Sequence, residues 1–210
     1  MPVVRRAFWG ALPLLLIAIA GALTASALGR GVLPNPANDP RLIDRPMDEA
    51  RYDFAKGCRS SVPSGMKALE SWLTENVRGS AWGITRCEKL SEENWSVHSE
   101  SRAIDWHLDA GIARDRRAAE RFIDALLATD RNGEPNALAR RMGIQGLIFN
   151  CRAWWGHGEE MGRYSYCFKR NGDRRDDLNR TLAHKDHIHI ELNWPGARER
   201  TSFWRSPVAR

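Results

Sequence analysis

The sequence predicts an α+β domain, an antiparallel sheet flanked by helices, and three observations predict it. Apolar stripes at helical spacing and short strand-like runs are mixed along the chain, without the strict strand–helix alternation that builds a parallel sheet. The last apolar run, HIHIELNW at residues 187–194, alternates with the period of two that a strand requires. Of 210 residues 42% are apolar, with 9 Trp, 6 Phe and 3 Tyr, enough for one sizeable core. No internal repeat divides it.

In chain order, Arg5 and Arg6 precede an uncharged run over residues 7–29 that contains LPLLLIAIAGAL and ends near Ala25-Ser26-Ala27. That is the pattern of a secretory signal over residues 1–27 with a small-residue cleavage site. The run is also long enough to cross a bilayer, where roughly 20 apolar residues suffice, so an uncleaved anchor is the alternative. A membrane enters only through that segment. The rest is expected outside the cell, secreted or in the cell envelope. Residues 28–51 hold four prolines between positions 31 and 46; they are read as a Pro-rich linker, too stiff and too poor in periodic apolar positions to pack. The domain is expected over residues 52–210.

Within it, residues 64–77 put Met66, Leu69, Trp72 and Leu73 on one helical face, with Ser64 as N-cap and an end before Gly79. AWGITRC at residues 81–87 and AIDWHLDA from Ala103 have strand character. Residues 115–130 repeat apolar pairs at 118/119, 122/123 and 126/127, a helix that ends by Asn132-Gly133. A shorter helix is expected from Pro135 in its first turn to Gly143 as C-cap, and IQGLIFN then reads as a buried strand. Residues 151–180, rich in Gly, Asp and Arg, read as a long loop.

Export changes the meaning of the four cysteines, because an oxidising compartment turns an even count into disulfides. Of the three connectivities, the sequence-local one is preferred: Cys58 with Cys87, and Cys151 with Cys167. The net charge of +6 suits an anionic partner. Yet the basic residues are scattered among 26 acidic ones, without the aromatic-interleaved basic stripe of nucleic-acid readers, so no nucleic acid is expected.

Chemistry concentrates in two stretches. In SVHSESRAIDWHLD, His98 and Asp105 stand seven apart; in HKDHIHIEL, His187 and His189 stand two apart. Two strand residues separated by two share a face, so His187 and His189 can serve one site. His98 and Asp105 can meet only if SESR turns between them. His, Asp and His suit zinc, and three protein ligands leave a fourth position open. His107 and His157 occupy no motif position and are read as ordinary residues. His184 stays open between the two readings. Trp154 and Trp155 beside Arg152 are core residues or the lining of a groove.

The pattern H-x6-D followed by H-x-H resembles the zinc peptidases of the D-Ala-D-Ala carboxypeptidase, lysostaphin and hedgehog group. The fuller run, SVHSESRAID, then LARRMGIQGLIFNCRAWW, then HKDHIHIEL, is similar to exported actinobacterial proteins with a carboxypeptidase-like C-terminal domain. The H-x-x-H-x-H at 184, 187 and 189 is similar to penicillin-insensitive murein endopeptidases. The resemblance spans about residues 52–195 and implies a hedgehog/DD-peptidase-like fold and a zinc peptidase acting on peptidoglycan peptides. His98, Asp105 and His189 are then the zinc ligands and His187 the catalytic base. The carboxypeptidase branch instead has a Glu three residues before the last ligand; here that position is Asp186, the rival base. Ser101 stands where the family has Gly, and at a turn needing φ > 0 a Ser is costlier. This departure motivates the alternative, a non-catalytic cell-wall binding module that keeps the fold. A third reading, a polyanion-binding exported protein, rests on the positive charge.

Overall fold

A computed structural model describes residues 36–158 and 160–209. The signal expected over residues 1–27 lies outside the described residues. In chain order they form α1 (Pro40–Ile43), α2 (Ser64–Asn76), β1 (Ser80–Gly83), β2 (Ala103–His107), α3 (Ala113–Leu127), α4 (Ala137–Met142), β3 (Ile144–Phe149), β4 (Arg152–Trp155), β5 (Gly162–Arg163), β6 (His187–Leu192) and α5 (Trp194–Ala197). The strands make one antiparallel sheet in the order β1-β2-β6-β3-β4-β5. The α+β class expected from the sequence is therefore present, with the last strand at the centre of the sheet.

Register sorts the side chains into two layers. Ile104 pairs with Ile190 and Trp106 with Ile188, while Asp105 pairs with His189 and His107 with His187. Because side chains alternate, the apolar set turns to one face and the titratable set to the other. The apolar face packs on α2, α3 and α4, where Leu69, Leu73, Phe122, Leu126, Leu138 and Met142 join Ile104, Trp106, Leu147, Ile188 and Ile190 in one buried cluster. Burying each such side chain contributes about 1.5–3 kcal/mol. The i, i+4 stripe of α3 puts Ala118, Ala119, Phe122, Ile123 and Leu126 into this layer.

Several boundaries differ from the sequence reading, each for a local reason. Ser64 is the first helical residue of α2 and Pro63 the N-cap, so Ser64 does not cap. A side chain at Gly65 would meet the Gly196 backbone oxygen, so α2 begins in backbone contact with α5. The stop of α3 comes at Leu127, where Asp130 Oδ1 then accepts from the Asn132 and Glu134 amides to form a turn. Pro135 lies before α4, whose N-cap is the left-handed Asn136; Gly143, at φ 74°, is the C-cap as expected. β1 stops at Gly83 after a register shift, and residues 84–87 leave the sheet rather than extend the strand. Residues 151–180 are not one loop: Asn150 and Cys151, both at positive φ, turn the chain tightly into β4, with Phe149 paired to Arg152.

The linker expected over residues 28–51 does not hold for residues 37–43, whereas residues 44–51 form no helix or strand. Asp39 caps α1 through the Arg41 amide with Pro40 at the first helical position, and Leu42 and Ile43 are buried. Buried Arg141 donates to the carbonyls of Ile43 and Arg45. Residues 37–43 therefore pack as part of the domain.

Both expected disulfides are present, Cys58–Cys87 and Cys151–Cys167, and no described cysteine is free. Such bridges fit an extracellular protein. Among the described residues no helix is long and apolar enough to cross a membrane.

Candidate metal centre

An odd spacing of seven would point His98 and Asp105 to opposite sides of one straight strand. The chain avoids this with a 3-10 turn over Val97–Glu100, after which Ser101 takes the left-handed conformation at φ 55° and leads into β2. The position thus has the backbone that favours Gly. Its hydroxyl compensates, donating to the Arg59 carbonyl at 2.9 Å and meeting Thr85 Oγ1 at 2.9 Å.

The result is a triangle of donor atoms. His98 Nε2, Asp105 Oδ1 and His189 Nδ1 lie 3.1 Å from one another on every side, and the three residues are buried. The Ile84 carbonyl takes the Nδ1 hydrogen of His98 at 2.7 Å, so a neutral His98 ring turns the Nε2 lone pair on the carboxylate oxygen. Two lone pairs at that distance repel unless a proton or a metal cation lies between them. The group can therefore hold a metal ion.

Outer partners fix each donor. Glu191 Oε1 accepts from His189 Nε2 at 3.0 Å, and buried Glu191 is itself held by Tyr52 and by Gln145 Nε2. Arg86 Nη1 donates to Asp105 Oδ2 at 3.2 Å, leaving Oδ1 as the inward oxygen. Metal-binding imidazoles commonly use their second nitrogen in this way. In the absence of a metal, burial opposes charge on His189, but hydrogen bonds to Asp105 and Glu191 outweigh it and raise its pKa to about 9, so a metal ion would bind Nδ1 by displacing its proton. Burial likewise opposes ionisation of Asp105, and the bonds to His189 and His98 hold its carboxyl well below the usual range.

His187 stands beside the triangle, its Nε2 3.5 Å from Asp105 Oδ1. Asp186 Oδ1 accepts from His187 Nδ1 at 2.8 Å, and Asp186 Oδ2 accepts from Thr181 Oγ1 at 2.7 Å. Burial lowers the His187 pKa despite the pull of Asp105 and Asp186. His184 joins the group, its ring 4.7 Å from that of His187 and 5.6 Å from that of His189. His107 stacks on Trp82 at 4.6 Å, and Trp82, 52% exposed, lies 5.9 Å from the His187 ring. His157 is exposed in the turn after β4. Trp154 is buried with its indole N–H on the Gly158 carbonyl, and Trp155 meets Tyr52 edge-on; aromatics beside the site are instead Trp82 and Tyr164, the latter edge-on to His184 at 5.1 Å.

Sequence reasoning missed Glu191, Arg86, Trp82 and the Ile84 carbonyl. Glu191 had a signal, since it shares strand parity with His187 and His189. The others come from segments that meet only in the fold. No protein-family model matches the chain, and no curated protein or solved structure matches it.

Proposed function

We propose that the chain is a zinc peptidase that hydrolyses peptide bonds of peptidoglycan, exported behind its N-terminal segment, on a fold of the hedgehog and DD-peptidase kind. The observation that carries this reading is the meeting of His98, Asp105 and His189 in one triangle, in the order and spacing of the resemblance. Two imidazole nitrogens and a carboxylate oxygen are donors that suit zinc. Tetrahedral zinc at 2.0–2.1 Å places its ligand atoms about 3.3 Å apart, within a few tenths of an ångström of the 3.1 Å edges. When bound, the ion would supply Lewis acidity, polarising a carbonyl and bringing the pKa of water toward about 7.

The remaining chemistry belongs to the chain. With its Nδ1 hydrogen on Asp186, His187 keeps Nε2 as the basic nitrogen on the triangle side. Burial favours the neutral ring, so Nε2 can take a proton near neutral pH and return it to a leaving amine. Asp186 has both oxygens engaged, by His187 and Thr181, and so orients the base instead of replacing it. Ser101, the one feature that pointed to a non-catalytic wall module, is held by two hydrogen bonds, so the left-handed turn between His98 and Asp105 is kept with Ser in place of Gly.

The test is zinc content and initial rate on purified muropeptides. His187→Ala is expected to keep its zinc and lose about 10²–10⁴ in rate, Asp186→Asn to lose less, and His189→Ala to lose both zinc and rate. If Asp186→Asn abolishes turnover while His187→Ala leaves it intact, the base assignment reverses. A zinc-loaded parent that cleaves no muropeptide would return the chain to the binding-module reading.

A further inference from the structure

A second site stands where β6 ends, away from His187, and owes nothing to the metal. A cavity of about 290 Å³ opens between the start of α2 and the residues of α5, lined in part by Arg59, Ser61, Ser64, Arg198 and Arg200 around Trp194. The guanidinium carbons of Arg59 and Arg198 lie over the Trp194 ring, 5.1 and 4.6 Å from its centroid. A third, Arg102 at 4.7 Å, is buried and already engaged by Glu100, the Leu192 carbonyl and the Asp53 carbonyl. Arg59, Arg198 and Arg200 differ from it. All three are exposed, and among the described residues no carboxylate lies within ion-pair distance of any of them.

Their backbones are fixed nonetheless. Arg59 follows the disulfide-bound Cys58, donates its amide to Ser99 and accepts from Ser101; Arg198 closes α5 through its amide. A cation–π contact engages no acceptor oxygen, so the forks of Arg59 and Arg198 keep donors for a ligand, with the Ser61 and Ser64 hydroxyls nearby. Guanidinium forks match oxyanions in two-pronged geometry. Three such charges exceed what one carboxylate needs and suit a repeated anion. A single-stranded nucleic acid would also offer its bases to an open aromatic face, and the indole here carries guanidiniums.

We propose that this cavity binds phosphate oxyanions carried on an anionic polymer without bases, holding the chain on such a polymer while the metal group stays free. Calorimetric titration of the whole chain at low salt, with a short synthetic poly(glycerol phosphate) and separately with inorganic phosphate, tests it. The parent is expected to bind the polymer, and the pair Arg59→Gln with Arg198→Gln to lose about tenfold or more in affinity, as for lost charge-assisted bonds. The control pair Arg117→Gln with Arg121→Gln, exposed on α3, removes the same charge and is expected to stay within about twofold. Urea midpoints verify the fold, and if the first pair unfolds, Arg200→Gln alone provides the test with a smaller loss. Saturable binding of inorganic phosphate as tight as that of the polymer would assign the same cavity to the free ion. Equal losses in both pairs, or no binding by the parent, would overturn the proposal.

Discussion

The two faces of the central sheet are held by different chemistry. On the helix face, apolar strand residues such as Ile104, Trp106, Ile188 and Ile190 meet Leu69, Phe122 and Leu126, and regular helices satisfy their own backbone. The other face is covered by irregular segments around residues 52–59, 84–100 and 164–184. Those segments are fastened by the two disulfides and by buried polar side chains, with Arg102 joining Glu100, Leu192 and Asp53 and Gln145 joining Asp53 and Glu191. Irregular chain can lie over a sheet only where its polar groups find partners. Covalent links and side-chain hydrogen bonds therefore do on one face what apolar packing does on the other, and the same links orient the metal donors.

The comparison predicts that damage to the helix face costs stability alone, whereas damage to the other face costs stability and metal binding together. The largest effect is expected for Phe122→Ala, about 3–5 kcal/mol in urea unfolding, with unchanged metal affinity per folded molecule. Removing the first bridge with Cys58→Ser and Cys87→Ser is expected to cost about 3 kcal/mol. It should also weaken metal binding, because Cys87 adjoins Arg86 and its segment carries the Ile84 carbonyl. Unchanged affinity in that variant would separate the two roles. Next comes Glu191→Gln, for which metal affinity is expected to fall about 10–100-fold, or about 1.4–2.8 kcal/mol, as for lost outer partners of a ligand.

The smallest effect concerns Asp53, which accepts from the Trp194 amide and pairs with Arg51. Burial opposes its ionisation, but these partners outweigh burial and hold its carboxyl below the ordinary 3.8. A depressed folded pKa contributes stability that is present above the ordinary value and lost as pH falls through the lower folded value. Asp53→Asn is thus expected to cost about 1 kcal/mol at neutral pH, with the gap from the parent closing below pH 3.8. Urea unfolding at pH 7 and pH 3 measures it; a gap that stays constant would mean that the carboxylate charge is not what holds this strap.

Legibility in the sequence follows the same division. The stripe of α3 and the alternation of β6 were readable because helix and strand periods act over many residues, and that alternation also separated His187 and His189 from Asp186. Residues 37–43 were missed because a four-residue helix behind Asp39 and Pro40 has no period to read. The β3–β4 turn was missed because Asn150-Cys151, at positive φ, lacks the glycine that marks such turns. In the site, the three donor residues were carried by two short motifs, but Arg86, Trp82 and Ile84 arrive from segments whose place depends on a disulfide and on long-range contacts. No local pattern encodes that meeting.

The proposal that a zinc ion sits on the polar face is tested most directly by the metal content of the purified chain and four variants, measured by mass spectrometry. The account predicts one zinc per molecule in the parent and in His187→Ala. It predicts near-complete loss in His98→Ala, Asp105→Ala and His189→Ala, each of which removes a corner of the triangle. A folded parent that takes up no zinc, or variants at the three corners that retain it as well as His187→Ala does, would contradict the account.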